Sequence, residues 1–291
     1  MINNYVAQIR TRVGIYASKK SSNVFDGSYK SIYQGNGLDF ENLREYIPGD
    51  SIRDIDWKAS SRSGKVLVKR YIAEKKHNIM LVFDSGKNMT AVTKALESKH
   101  KVALNAGGTV AYLAGLNGDN VGAIYNRSGL IQYYPLKTGT MNIERILTEY
   151  GKEDFEGYMG DIEKSLQYII RYINRKMIVF VITDDKGMST VSDDTIKKLT
   201  YQHDVLFINI SDADITEKNA YSVEKDQYVP DFIADNKELK AMEHQAKKAL
   251  LEHNEKKLSK YKIVTTQVDS EEDIVDKITE LLGGHKHANS R

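Results

Sequence analysis

From His77 onward, short apolar runs alternate with stretches of helical period. "NIMLVFDS" precedes a helix predicted over about 93–116, and "NVGAIYN" and "LIQYYP", joined by the turn "RSG", predict a hairpin. Ile162, Leu166, Ile169, Ile170 and Ile173 recur at offsets of 0, 4, 7, 8 and 11, one apolar stripe of a helix, and the strand "MIVFVITD" follows at once. A shorter helix over about 192–202 leads into "DVLFINI". Near-continuous apolar strands of this kind suit a parallel sheet covered on both faces, so the pattern predicts an α/β domain with a mostly parallel sheet. Right-handed crossovers put the C-terminal ends of the strands on one edge, and the loops beyond that edge are where such sheets bind.

The rhythm weakens after Ile210. "SDADITEKNAYSVEKDQYVPDFIADN" carries Pro230 and no steady period, which predicts a long loop or irregular insert. A charged helix over 237–260, a last strand "KIVTTQV" and a closing helix "SEEDIVDKITELL" follow, with Ser270 and Asp273 spaced as a helix start. "GGHKHANSR" reads as a frayed tail. The front of the chain differs. A "PGD" turn at Pro48 and the alternating "KVLVKRYI" predict an N-terminal β-rich extension. The expected organisation is therefore 1–76 as a basic front segment, 77–284 as the α/β domain and 285–291 as a flexible tail.

Composition narrows the function classes. The 291 residues contain no cysteine, which excludes disulfides, thiolate nucleophiles and cysteine-bound zinc and fits a reducing compartment. No apolar run is long enough to span a bilayer and the first residues lack the apolar centre of a signal peptide, so a cytoplasmic location is expected. Net charge is +2, but residues 1–76 hold 14 Lys+Arg against 8 Asp+Glu while the remainder holds 28 against 32. The front is cationic. Its acids are interspersed with the bases, however, and no uninterrupted basic run occurs, so nucleic acid is not the expected partner.

Two groups of residues could carry chemistry. Asp84 ends the first strand of the α/β domain, Asn88 lies four residues on, and Asp184 ends a later strand of the same sheet. Together they could offer hard oxygen ligands to Mg²⁺ or Mn²⁺, with Asp161 and Asp185 nearby. Acids in such places also cap the following helix. In the front segment Arg44, Asp50, Arg53, Asp56, Lys58 and Arg62 surround the only tryptophan, Trp57. They either neutralise one another or form a surface for a phosphate, a carboxylate or a partner. Paired Asp50 and Asp56 with a metal would make a phosphoester hydrolase, the alternative to a binding role. The seven histidines show no metalloprotease spacing, and no nucleotide phosphate loop is present, so no small-molecule substrate is indicated. Gly107 and Gly108, inside a helical pattern, point to close packing of that helix on the sheet.

The segment "GNGLDFENLREYIPGDSIRDIDWKASSRSGKVLVKRY" resembles the bacterial domain of unknown function 58 family, in Gly35, Gly37, Phe40, Leu43, Arg44, Tyr46, Pro48, Gly49, Asp50, Arg53, Ile55, Asp56, Trp57, Lys58 and Arg62. The resemblance implies a von Willebrand factor A-like, Rossmann-like domain behind the front motif, an α/β fold with a doubly wound, mostly parallel sheet. It also implies a metal-ion-dependent adhesion site of the form D-x-S-x-S, with a threonine on a later loop and a further aspartate. Here Asp84 and Asp184 keep the aspartates, while Gly86, Asn88 and Gly160 stand where hydroxyl ligands are expected. Such a site is degenerate. The resemblance further implies a non-enzymatic adaptor, chaperone-like, that works with a MoxR-type AAA+ ATPase in the assembly or activation of other proteins.

Overall fold

The computed structural model describes residues 4–19, 38–73, 76–127, 129–153, 160–214, 221–222, 227–228 and 236–289. The chain divides into two compact units, Tyr33–Lys76 on the one hand and Met1–Ile32 with His77–Arg291 on the other. Helix α1 (Tyr5–Lys19) therefore belongs with the α/β domain rather than with the basic front segment. Its Val6, Ile9 and Val13 are buried, a 0, 3, 7 spacing that was readable in the sequence. Gly35 and Gly37 of the family signature lie outside the described residues.

In the smaller unit, β1 (Leu38–Glu45) and β2 (Leu67–Ala73) pair antiparallel, with a bulge between Phe40 and Asn42. The connection between them contains a helix, α2 (Trp57–Ser63), where the sequence pattern predicts only turns and strands. Asp56 caps it by accepting the backbone N–H of Lys58 and Ala59, at 3.1 and 3.0 Å. Gly64, at φ +71°, ends it in the left-handed conformation that favours glycine. The Ser60 hydroxyl accepts the Leu67 N–H at 2.8 Å, fastening the helix to β2.

The larger unit holds a six-stranded sheet in the order β10-β7-β6-β3-β4-β5. Its parallel strands are β3 (Asn78–Phe83), β4 (Asn120–Arg127), β6 (Ile178–Thr183), β7 (Asp204–Ile210) and β10 (Val264–Val268). β5 (Leu130–Lys137) runs antiparallel on the outside, completing the expected hairpin. Val121 pairs with Lys137 and Ala123 with Tyr134, so Pro135 and Leu136 bulge opposite Gly122. A Cβ at Gly122 would lie 2.7 Å from the Tyr134 carbonyl oxygen, so only glycine fits there.

Helices cover both faces. On one, Ile162, Leu166 and Ile169 of α5 (Ile162–Tyr172) and Ile196 and Leu199 of α7 (Asp193–Gln202) pack with Met80, Val82, Val179 and Val181. Each buried aliphatic side chain there contributes roughly 1.5–3 kcal/mol. On the other face, α3 (Lys99–Leu116) comes so close that a Cβ at Gly107 would fall 2.4 Å from Phe83. Gly108 faces Ile9 of α1 instead, so the glycine pair serves two contacts. α4 (Thr140–Gly151) is a further helix, with Ile143, Ile146, Leu147 and Tyr150 buried along one stripe. α3 starts at Lys99, later than the predicted 93, because Val92 and Ser98 form a bridge closing a tight turn with Leu96 at φ +61°.

Most of the irregular insert lies outside the described residues; within it are two short strands, β8 (Tyr221–Ser222) and β9 (Gln227–Tyr228). Helix α8 (Lys237–Lys260) matches the expectation, and Ser270 and Asp273 exchange the capping bonds their spacing suggested. The final helix, α9 (Ile274–Asn289), runs on where a tail was expected from 285. The apolar stripe through Ile278, Leu281 and Leu282 carries a buried His285 with it.

Burial pushes His100, His203 and His285 below the usual histidine range, His100 to about 4 from 6.5. These rings are neutral in the folded chain and take protons more readily when it unfolds, so their contribution is complete above about pH 6.5 and is lost as pH falls toward 4. Thermal unfolding at steps from pH 7.5 to 4.5 should show Tm falling through that window, with His100 alone accounting for at most about 3 kcal/mol. His100→Gln should flatten the profile; a Tm independent of pH between 6.5 and 4.5 would show that the rings are not buried as described.

Candidate functional site at the sheet edge

Residues from five chain segments meet beyond the C-terminal ends of β3, β6 and β7. Asp84 follows β3 and is buried. Its Oδ1 accepts the Gly86 N–H at 2.9 Å, and its Oδ2 accepts the Asn88 amide N–H at 2.9 Å and the Thr183 hydroxyl at 2.7 Å. The Tyr150 hydroxyl donates to the Asp84 carbonyl at 2.7 Å. Asp184 follows β6 and caps α6 (Asp185–Thr190) by accepting the Gly187 N–H at 2.7 Å. Its other oxygen accepts from the Lys99 ammonium at 2.5 Å, and Lys99 also donates to Asp212, beyond β7, at 2.5 Å. The side chains of Lys99 and Asp184 are both 0% exposed.

The electrostatics follow from burial and this one cation. Burial pushes Asp84 up, aided by the neighbouring Asp184 carboxylate and opposed by its three hydrogen bonds. Burial also works against ionised Asp184, but Lys99 and the Gly187 N–H outweigh it and hold that carboxyl below its usual range. For Lys99, burial favours the neutral amine, and the two carboxylates overcome this and raise it.

Steric closure is equally tight. A Cβ at Gly86 would lie 2.3 Å from the Gly160 nitrogen, and one at Gly160 would lie 2.4 Å from Asp84 Oδ1. A Cβ at Gly187 would lie 2.0 Å from the Thr183 hydroxyl. The resemblance implies a divalent cation here, and the residues present do not fit one. Mg²⁺ takes near-octahedral oxygen at about 2.0–2.1 Å. Here Asp84 is engaged by three donors, Asp184 by Gly187 and Lys99, Asn88 turns its N–H toward Asp84, and positions 86 and 160 have no room for a hydroxyl. Among the described residues no group of three or more His, Cys, Asp or Glu is placed to hold a metal ion.

Asp84, Asn88 and Asp184, the residues named from the sequence, lie together at this edge. Lys99, Asp212, Thr183 and Tyr150 were not singled out, because nothing in their local sequence distinguishes them. Asp161 instead caps α5 through the Lys164 N–H at 2.9 Å, and Asp185 accepts from Asn254 at 3.2 Å.

The front cluster is a separate arrangement. Arg44 donates to Asp50 at 2.6 Å, and the other Asp50 oxygen accepts the Ile47 N–H at 2.9 Å, which closes the "PGD" turn around Gly49 at φ +110°. Asp56 caps α2 and faces Lys69 at 3.5 Å. Asp50 and Asp56 thus each have structural partners of their own. Arg53, Lys58 and Arg62 are exposed, and Trp57 keeps 65% of its surface in solvent.

A family model described as "Protein of unknown function DUF58" matches residues 42–219. The chain is 24% identical over 208 residues to the uncharacterized proteins Rv1480 of Mycobacterium tuberculosis and Mb1516 of Mycobacterium bovis, a match covering 71% of this chain and 65% of each relative's length. Among solved structures it is similar to BatB from Bacteroides thetaiotaomicron, at 13% identity and TM-score 0.43, covering 70% of this chain and 98% of that one. It is also similar to a von Willebrand factor type A protein from Catenulispora acidiphila, at 14% identity and TM-score 0.43, covering 74% and 44%. A third is proximal thread matrix protein 1 from the mussel byssus with a zinc-occupied MIDAS motif, at 13% identity and TM-score 0.41, covering 72% and 47%. Among the described residues no helix is long and apolar enough to cross a membrane.

Proposed function

The chain belongs to the DUF58 family, and on that footing we propose that it is a non-enzymatic, cytoplasmic interaction protein that docks a partner at the sheet edge around Asp84, Asn88 and Asp184. The partner we assign is a MoxR-type AAA+ ATPase, with which the protein acts as an adaptor in assembling or activating other proteins. The observation that carries this reading is the buried network of Asp84, Thr183, Asp184, Lys99 and Asp212, which ties together the loops after three strands. A pre-organised edge gives up little conformational freedom on docking. Around it stand Lys87, Thr90, Lys186 and Thr190, partly or fully exposed and able to meet a polar partner face.

A second contact surface is supported by the smaller unit. Arg44, Asp50 and Asp56 act there as scaffold, holding the turn and the helix on either side of Arg53, and Trp57, Lys58 and Arg62 project from the helix itself. Exposed tryptophan and arginine beside one another suit an acidic partner face. The same bonds to Asp50 and Asp56 argue against their use as hydrolytic carboxylates. Asp50→Asn and Asp56→Asn should produce no change in phosphoester turnover, because none is expected from the parent.

Pull-down of the cognate ATPase with ADP and with a non-hydrolysable ATP analogue tests the docking. Capture is expected, and Lys87→Glu combined with Lys186→Glu should weaken it by at least about tenfold, equivalent to about 1.4 kcal/mol, with Tm unchanged. Absence of capture by the parent protein in both nucleotide states would remove the reading's main support.

A further inference from the structure

The edge that resembles a cation site contains a cation of its own. The Lys99 ammonium lies 2.5 Å from both Asp184 Oδ2 and Asp212 Oδ1, completely buried, at the start of a helix whose turn brings it under the edge. A lysine ammonium is compact and carries three donors, so it can bridge two carboxylates much as a point charge would. Burying such a charge is tolerated only when it is paired and hydrogen-bonded, and here two carboxylates meet that condition. The remaining capacity of the site is filled from within: Thr183, Asn88 and Gly86 donate to Asp84, and Gly187 donates to Asp184. At Gly86, Gly160 and Gly187 there is no room for a side chain that could supply a ligand.

We infer that Lys99 is a tethered cation that takes the organising role of a metal ion, so that this edge is assembled by the chain itself and is indifferent to divalent ions. The inference rests on the docking reading only for its biological use; the charge arrangement stands without it. It follows that any partner docks on protein groups alone, with no shared metal bridging partner and protein, and that docking strength does not track divalent-ion concentration.

Calorimetric titration of the chelator-treated protein with Mg²⁺, Mn²⁺ and Zn²⁺, alongside thermal unfolding, tests this directly. The expected result is no saturable heat and a Tm shift of less than about 1 °C at millimolar Mg²⁺ or Mn²⁺. Lys99→Ala should lower Tm by on the order of 10 °C, because Asp184 and Asp212 are left unpaired. Added Mn²⁺ should recover part of that loss, since the carboxylates then have room for an ion. If Lys99→Ala does not fold, Asp212→Asn, at the partly exposed end of the network, should still lower Tm and leave the protein without metal binding. Saturable Mg²⁺ or Mn²⁺ binding to the parent that disappears in Asp84→Ala would overturn the inference, as would a Lys99→Ala protein as stable as the parent without metal. These outcomes are independent of ATPase capture. A metal-indifferent protein that captures nothing sinks the docking reading alone, and a metal-binding protein that captures the ATPase sinks the tethered cation alone.

Discussion

Asp184→Ala should cost about 3–5 kcal/mol, a large share of a stability that for a domain of this kind is about 5–15 kcal/mol. The carboxylate has two tasks. One oxygen caps α6 through Gly187, a bond whose loss alone costs about 1 kcal/mol. The other is one of two counter-charges to an ammonium with no solvent exposure, and removing it leaves that charge half compensated inside the protein. Asp184→Asn separates the two tasks, because an amide can still accept from Gly187 but no longer balances Lys99. It should cost more than the cap alone and less than alanine. Urea denaturation of the three proteins gives the order, provided the m-value is unchanged. Equal losses for alanine and asparagine would mean that charge dominates. A loss under about 1 kcal/mol for alanine would mean that the pair is not buried as described.

Gly187→Ala should destabilise by at least about 1–3 kcal/mol although it adds a single methyl group. Gly187 is not at a positive φ, so the backbone would accept alanine; the obstacle is space. The new Cβ would lie 2.0 Å from the Thr183 hydroxyl and 2.5 Å from Asp84 Oδ2, and Thr183 can turn away only by giving up its bond to Asp84. The buried Thr183 hydroxyl would then lack its partner and Asp84 would lose one of its three donors, adding the cost of a broken buried hydrogen bond. Thr183→Ala in the same chain should relieve the collision with the hydroxyl, leaving only the approach to Asp84, so the double variant should lose less than the two single losses added together. Strict additivity would show that the two positions do not touch.

The parts of this fold that were legible in the sequence were those written in local period. Strands β3, β6 and β7 are near-continuous apolar runs, and the stripe from Ile162 identifies α5 without help from the rest of the chain. From the strands' parallel order, the meeting of Asp84 with Asp184 at one edge followed. Lys99 was not legible. In "KHKVALNAGG" it stands among basic neighbours and reads as part of the solvated face of a helix, and only the pairing of β3, β6 and β7 brings positions 99, 184 and 212 together. Asp212 was likewise submerged in the polar run after Ile210. In the front motif, the charged residues were visible but their pairing was not: whether Arg44 meets Asp50 or faces outward depends on the backbone at Gly49, which opposite charges alone do not specify.

The bulge at Pro135 has a bearing on what the protein does in company with copies of itself. β5 is an outer strand, eight residues long, with Leu130 and Tyr133 partly in solvent, the kind of border on which another chain could lay a strand of its own. Proline has no N–H to offer, and the bulge bends the strand beside it, so the row of donors is interrupted in the middle and the border is not straight. The opposite border, β10, is only five residues long. The sheet can therefore stay open at both ends without recruiting a neighbour, which matters most when newly made chains are concentrated and their edges are briefly bare.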